Sequence, residues 1–537
     1  MRIALPSLAA SLLAAACSVP HDMVVYGGTA SGVIAAVQGA RAGHRVVLVA
    51  PHRHLGGMTT SGLGATDVGE HRAVGGLARE FYRRLRQHYA ADRSWVHEAG
   101  AAFRGRGQRA GEDTAWTFEP HVAEAVLEQL LRQAGVATAR GERLDLLAGV
   151  ERQGSRIVAI HTLGGRRFAG RVFIDATYEG DLLAAAGVRW TSGREANATF
   201  GETLNGVQTA RAVHHQFVVD VDPYATPGDP ASGLLPGIES TPLAADGDGD
   251  GAVQAYCFRL CTTDVAANRR PWTEPPGYDA ADYELLLRNF EAGDHRVPWN
   301  PVWLPNRKTD TNNNFAVSTD YIGASRAYVA ADWPARDALL AAHERYQRGL
   351  LWTLAENPRV PEAVRAQVRR LGLARDEFVD NDNWPYQIYV REARRMVSDV
   401  VMTELHCRGD LRADDPVGLG SYGMDSHHVR RYVDDSGHVR NEGDVQVHGF
   451  RPYGISYRAL RPRRAECTNL LVPVCVSATH IAFGSIRMEP VFMVLGQSAA
   501  IAAGLAIERD CAVQDVPYQL LRARLLAADQ VLSWPAR

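Results

Sequence analysis

Two histidines and a pair of arginines stand where proton and charge chemistry could be done. His480 closes the small-residue turn Ser477-Ala478-Thr479-His480, directly after an apolar run. His427 ends Ser421-Tyr422-Gly423-Met424-Asp425-Ser426-His427, with His428 beside it. An unperturbed imidazole titrates near pH ~6.5, so it can take a proton from an alcohol or amine while the C–H bond gives up hydride. Of the 19 histidines most must be exposed or structural. His480 is the first candidate for such a base and His427 the second. Arg391 and Arg395 are four apart, hence on one face of the helix that Tyr389 to Val401 suggests. A guanidinium there could clamp a carboxylate or stabilise an alkoxide. The alternative is an ion pair with Glu392 or Asp399.

The element that must position these groups lies near the N-terminus. Met23-Val24-Val25-Tyr26 reads as a buried strand, Ala30 to Ala42 has helical length and Arg45 to Val49 is again strand-like. Between them runs Gly27-Gly28-Thr29-Ala30-Ser31-Gly32. A glycine turn inside a β-α-β unit sets a dinucleotide pyrophosphate on a helix N-terminus. Two positions depart from the G-x-G-x-x-G pattern. Thr29 replaces the middle glycine, and Ala50 stands where an acidic residue would bind the ribose. One lost hydrogen bond costs roughly 0.5–1.5 kcal/mol, which weakens such a site without abolishing it. His52 or Arg53 is placed to substitute.

With 537 residues, length alone suggests about three or four domains. A net charge of −3, from 58 basic and 61 acidic residues well mixed, gives no reason to expect a nucleic-acid partner. Arg461-Pro462-Arg463-Arg464 is too short to alter that. No internal apolar run approaches the roughly 18 residues that span a bilayer. Met1 to Pro20 reads as an export signal, with a charge at Arg2, an apolar stretch and small residues before Cys17. Cys17 resembles a bacterial lipoprotein processing site, although leucine is more usual where Ala14 stands, and lipid there would tether the protein to a membrane surface. Ordinary cleavage near Ala16 is the alternative. The six other cysteines permit disulfides but contain no C-x-x-C pair, so no zinc or dithiol redox centre is suggested.

Leu55-Gly56-Gly57-Met58-Thr59-Thr60-Ser61-Gly62 is too rich in glycine and hydroxyl residues for helix or strand. Such a loop exposes backbone N–H groups to a phosphate or a ring, or is simply flexible. Helices are predicted over Ala78 to Tyr89, Glu119 to Gln133, Leu339 to Leu351 and Pro361 to Leu371, and an antiparallel ribbon over Gly141 to Ala169. Arg171 to Thr177 is a strand that runs into Tyr178-Glu179-Gly180-Asp181. Asp246, Asp248 and Asp250 imitate a calcium loop, but Cys257 occupies the position of its bidentate glutamate, so no metal is expected. Asn306 to Asn314 is a surface turn or a pocket wall for a polyhydroxylated substrate.

The ordered set Gly27-Gly28-Thr29, Leu55-Gly56-Gly57-Met58, Asp175-Ala176-Thr177-Tyr178-Glu179-Gly180-Asp181, Tyr389 to Arg395, Gly420 to His427, Ser477 to His480, Gly484-Ser485-Ile486-Arg487-Met488-Glu489-Pro490 and Leu495-Gly496-Gln497 resembles the bacterial FAD-dependent oxidoreductases of the glutathione-reductase-like superfamily. The resemblance covers nearly the whole chain after the N-terminal signal. It implies an α/β fold: a Rossmann-like FAD-binding domain with a small antiparallel ribbon, and an inserted α+β substrate domain. The implied boundaries are 1–20 for the signal, 21–190 and 448–510 for the two parts of the FAD-binding domain, 191–447 for the substrate or cap domain, and 511–537 for a C-terminal helical tail.

The resemblance also implies FAD contacts at Gly27, Gly28, Thr29, Ser31, Gly32, Gly56, Gly57, Met58, Thr59, Ala176, Thr177, Gly180, Asp181, Arg487, Glu489, Gly496 and Gln497. The small-residue helix after Glu489 would turn its N-terminus to the flavin pyrimidine, where negative charge develops on reduction. The resemblance implies a flavin-dependent oxidoreductase; the polar Asn306 to Asn314 stretch and the export signal suggest that it oxidises a small or carbohydrate-like alcohol by hydride transfer, at the periplasm or the outer face of a membrane, with an electron acceptor the sequence does not name. A flavin-dependent reductase of an activated double bond is an alternative, as is a membrane-anchored binding protein that kept the fold without turnover.

Overall fold

The computed structural model describes residues 20–535. Cys17 and all of the expected export signal except Pro20 lie outside these residues. β1 (His21–Tyr26) sits at the centre of a sheet, parallel to β2 (Val46–Ala50) on one side and to β6 (Arg167–Asp175) on the other. β3 (Ala137–Arg140) extends the parallel array beyond β2. The central strands are runs of valine and leucine with no polar alternation, as strands covered on both faces require. Helix α1 (Ala30–Arg41) crosses from β1 to β2; α2 (Gly76–His88) and α3 (Pro120–Ala134) follow. β4 (Val150–Gln153) and β5 (Arg156–His161) form the antiparallel ribbon on the early part of β6, whose later part leads to α4 (Asp181–Ala185).

The C-terminal part of the chain returns to this sheet. Leu470–Leu471 pairs parallel with β6, Leu470 opposite Phe173. The helix Glu489–Glu508 then lies against α1. Their backbones touch: a Cβ on Gly496 would stand 2.3 Å from Ser31 O. By length and composition this helix could span a membrane, contrary to the reading of the sequence, but it is buried along its length except at its last residue. It is a core helix, and its alanines and glycines are what let it approach α1 so closely.

Between these two parts lies a five-stranded antiparallel sheet, ordered Trp299–Leu304, Lys308–Asn313, Leu260–Thr263, Gly372–Ala374 and Arg269–Arg270, with a long helix, Trp333–Glu356. The polar stretch expected as a surface turn or pocket wall is therefore mostly a buried strand. Tyr389 to Val401 is not helical. Its backbone is irregular, with a tight turn at Tyr389 and a short strand, Arg395–Met396, that pairs with Trp190–Thr191. The spacing of Arg391 and Arg395 imitates a helix face, yet each guanidinium reaches a different buried carboxylate, Asp320 and Glu392.

Candidate active site

The glycine turn is built for close approach. Gly27 has φ +115, and a Cβ there would meet the Ala176 carbonyl carbon at 2.5 Å. Thr29 caps α1: its hydroxyl accepts from Gly32 N–H at 3.2 Å and donates to Ala176 O at 2.7 Å. The residue that breaks the glycine pattern thus ties the turn to the end of β6. The adjoining cleft is lined by Gly28, Thr29, His52, Gly57, Thr177 and Tyr178, among others. Burial pushes His52 down to about 4, so a neutral imidazole faces the cleft near Ala50, whereas Arg53 is exposed and lines no part of it.

Tyr178 lies across this cleft with its hydroxyl close over Gly57, where a Cβ would stand 2.3 Å from it. That hydroxyl accepts from Met58 N–H at 2.9 Å and donates to Glu489 Oε1 at 2.6 Å, while Thr59 donates to Glu489 Oε2 at 2.7 Å. Burial pushes the Glu489 carboxyl up to about 7 despite these two bonds. Gly56, at φ +105, is the turn before Gly57. Asp175 accepts from Thr177 and Leu183, and burial raises it to about 6. Gly180 opens α4 in the left-handed region, and Asp181 is held by both Arg336 Nη atoms at 2.7 Å and by Arg394 at 3.1 Å. Gly496 and Gln497 pack helices together: Gln497 accepts from Leu77 N–H and donates to Gln38.

A second cleft of about 140 Å³ opens in front of Arg487. Its walls include Asp67, Asn312, Asn313, Tyr389, Asp425 and His427. Arg487 donates to Tyr389 Oη at 2.8 Å and to Asp425 O at 3.1 Å, and its Nε is buried without a partner. Arg259, also in the wall, is spent on a two-pronged pair with Asp310 at 2.7 Å. Burial opposes ionisation of Asp425, but His427 and Arg487 hold it below the usual carboxylate range.

His427 Nδ1 lies 2.8 Å from Asp320 Oδ2, and Nε2 is 4.0 Å from Asp425 Oδ2. Burial, then the Arg391 charge, keeps the ring below its ordinary pKa, with Asp320 pulling the other way. Arg391 is fully buried, bonds Ala255 O and meets Asp320 Oδ1 at 2.8 Å. It does not line the cleft, so it cannot clamp a substrate there. Its part is to hold Asp320.

His480 is placed differently. Its Nε2 is 2.8 Å from Ser426 Oγ, its Nδ1 is 2.8 Å from Glu392 Oε2, and its backbone N–H donates to Glu195 at 2.9 Å. Ser426 also donates to Gly443 O, and Glu392 pairs with Arg395 at 2.9 Å. Both ring nitrogens are engaged, the side chain is 2% exposed and neither cleft reaches it. The small-residue turn before it is the N-cap of a helix, where Thr479 accepts from Ala482 N–H. Asp320 carries no signal in its neighbours Ser318-Thr319-Asp320-Tyr321. Asp425, by contrast, stands inside the stretch that singled out His427.

Glu119, His121 and Glu377 converge as metal ligands could, but Lys308 Nζ already lies among them, 2.9 Å from Glu119, 2.6 Å from Glu377 and 2.9 Å from Asp376. Of the calcium-like aspartates, Asp246 accepts from Thr209 and Asp250 pairs with Arg194 and Arg430.

The family described as FAD dependent oxidoreductase matches residues 22–525. The chain belongs to that family. Its cofactor is FAD. No curated protein sequence matches it significantly. Among solved structures, L-proline dehydrogenase from P. horikoshii is similar over 33% of this chain and 58% of its own, at 14% identity and a TM-score of 0.24. L-amino acid deaminase from Proteus vulgaris is similar over 33% and 53%, at 15% identity and a TM-score of 0.23. Thioredoxin reductase from Lactococcus lactis is similar over 29% and 35%, at 19% identity and a TM-score of 0.17. The chain thus spans little more than half the length of the first two. The residues at the turn fit FAD in kind: the first N–H groups of α1 have no intrahelical acceptor, and Gly27, Gly28 and Thr29 beside them line the cleft, whereas Ser31 Oγ, buried without a partner, faces Gly496 of the neighbouring helix.

Proposed function

We propose that this flavoprotein oxidises a small polyhydroxylated, carbohydrate-like alcohol, with His427 as the base. The observation that carries the reading is His427 at the wall of a polar cleft, paired from behind with Asp320. Gly27, Gly28 and Thr29 with the N-terminus of α1 would hold the pyrophosphate, and His52 the adenosine end. Arg487 and the first turn of the Glu489–Glu508 helix would meet negative charge on the ring. Bound FAD supplies a two-electron acceptor for the hydride.

The chain's own residues do the rest. His427 Nε2 takes the hydroxyl proton, and Asp320 fixes the ring by its Nδ1–H and stabilises the imidazolium that forms. Arg391 keeps Asp320 ionised behind it. Asn312 and Asn313 offer amides to neighbouring hydroxyls, and the Arg487–Tyr389 contact is placed to steady an alkoxide. Anaerobic mixing of the purified yellow protein with polyols, sugars and uronates tests this: the flavin band should bleach with one of them. Bleaching by none, with reoxidation of reduced enzyme by an unsaturated carboxylate instead, would support the reductase reading. The Arg487 guanidinium at the cleft wall, which has no close carboxylate partner among the described residues, is what favours that second reading. Export, and anchoring through Cys17, is part of the proposal and rests on the composition of the first twenty residues.

A further inference from the structure

Arg431 is a buried cation with no ion-pair partner among the described residues. It sits on the strand Arg430–Val433 and is 4% exposed. Its neighbour Arg430 reaches Asp250 and Glu442, but among the described residues no carboxylate lies within ion-pair distance of Arg431. Its Nη2 has only Ala316 O, at 3.4 Å, its Nε has no partner, and the Tyr346 hydroxyl is its remaining polar neighbour. A guanidinium does not deprotonate in proteins, so an unpaired one inside the fold is costly unless something else meets it.

The space beside it is shaped. A cavity of about 130 Å³ is lined by Arg431, Val317 and four tyrosines, Tyr278, Tyr283, Tyr321 and Tyr346. Tyr321 and Tyr346 are parallel, 4.1 Å between centroids and 5° between planes. Gly237 lines the Nη1 side, where its missing side chain leaves the guanidinium facing the cavity. Asp279, Asp282 and Arg345 also line it. At about 130 Å³ it is close to the roughly 150 Å³ that holds a single benzene ring in an apolar site. A planar fork of donors matches a carboxylate, and aromatic walls favour a flat body.

We infer that this cavity binds a small carboxylate carried on a flat ring, with the carboxylate on Arg431 and the ring among the tyrosines. The site is separate from the His427 cleft: Asp320 serves His427 while the next residue, Tyr321, walls the cavity. The inference does not depend on which substrate that cleft takes.

Benzoate is the probe, titrated into the FAD-loaded protein while thermal unfolding is followed. The melting temperature should rise and saturate, and benzyl alcohol, which lacks the charge, should leave it unchanged. Arg431→Met should fold, gain stability in the absence of benzoate and lose the response. Arg431→Lys, which keeps charge without the fork, should weaken binding roughly tenfold, as should Tyr321→Ala. Should Arg431→Met fail to fold, the lysine and Tyr321 variants decide. The inference is overturned if wild type shows no shift, if Arg431→Met or both other variants respond like wild type, or if inorganic phosphate acts as strongly as benzoate.

Discussion

Asp320 Oδ2 stands 2.8 Å from His427 Nδ1, and Asp320 is absent from the cleft wall that His427 helps to form. The carboxylate therefore orients the ring from behind and leaves Nε2 to the substrate side. Replacing His427 by alanine should leave FAD bound and slow flavin reduction by roughly 10²–10⁴-fold, measured by anaerobic stopped flow. An unchanged rate would remove His427 from the chemistry.

The pH profile carries the sign of the His427 shift. A base must be neutral, so the rate rises with pH through its pKa and then levels. Because that pKa is below its ordinary value, the acid limb should lie below pH ~6.5. Asp320 raises it, so Asp320→Asn should move the limb further towards acid and also lower the plateau. A limb that stays in place would place the titration on another group.

His480→Ala should act on stability. It strips Ser426 and Glu392 of a shared partner inside the core. Leaving a buried polar group unsatisfied costs about 1–3 kcal/mol, more where a charge is involved. Urea unfolding should report that loss, while the folded variant retains its reduction rate. A protein of full stability that no longer reduces its flavin would return His480 to the role of base.

Glu489 gives stability a pH dependence. Its carboxyl is raised from 4.5 to about 7 in the fold, so the folded state holds the proton more tightly. The contribution is fully present below pH 4.5 and is lost as pH rises towards 7. The difference in melting temperature between wild type and Glu489→Gln should therefore change over this window and be flat above it. Asp175 has the same sign and cancels in that comparison. A pH-independent difference would mean that Glu489 stays ionised.

Gly27→Val should abolish FAD retention, because the side chain would enter the Ala176 peptide at a backbone angle that L residues avoid. The flavin absorbance of the purified variant measures this, and wild-type occupancy would refute the cradle. Cys17→Ser should release the protein from membranes in fractionation; unaltered partitioning would leave simple secretion.

What the sequence made legible was local. Valine runs, the glycine turn, Pro120 at a helix start and the alanine-rich helix after Glu489 each encode their element within a few residues. Asn312 and Asn313 also lie at a cleft wall, as one reading of their polar stretch had it. The partnerships were not legible. His427 and Asp320, or His480 and Glu392, are joined only by tertiary packing. The Arg391–Arg395 spacing misled because a buried, ion-paired irregular segment can carry the same period as a helix surface. Arg391 looked like a clamp for substrate, and only its burial against Asp320 assigns it to the inside.

The pairing of Leu470 with Phe173 sets a timetable for biosynthesis. The segment that completes the nucleotide-binding sheet is translated roughly three hundred residues after its partner, and closing so long a loop is entropically slow. Nascent chains and truncations that stop before Leu470 must leave one edge of β6 unpaired. They should need chaperone protection until Leu470 has left the ribosome and reached the sheet.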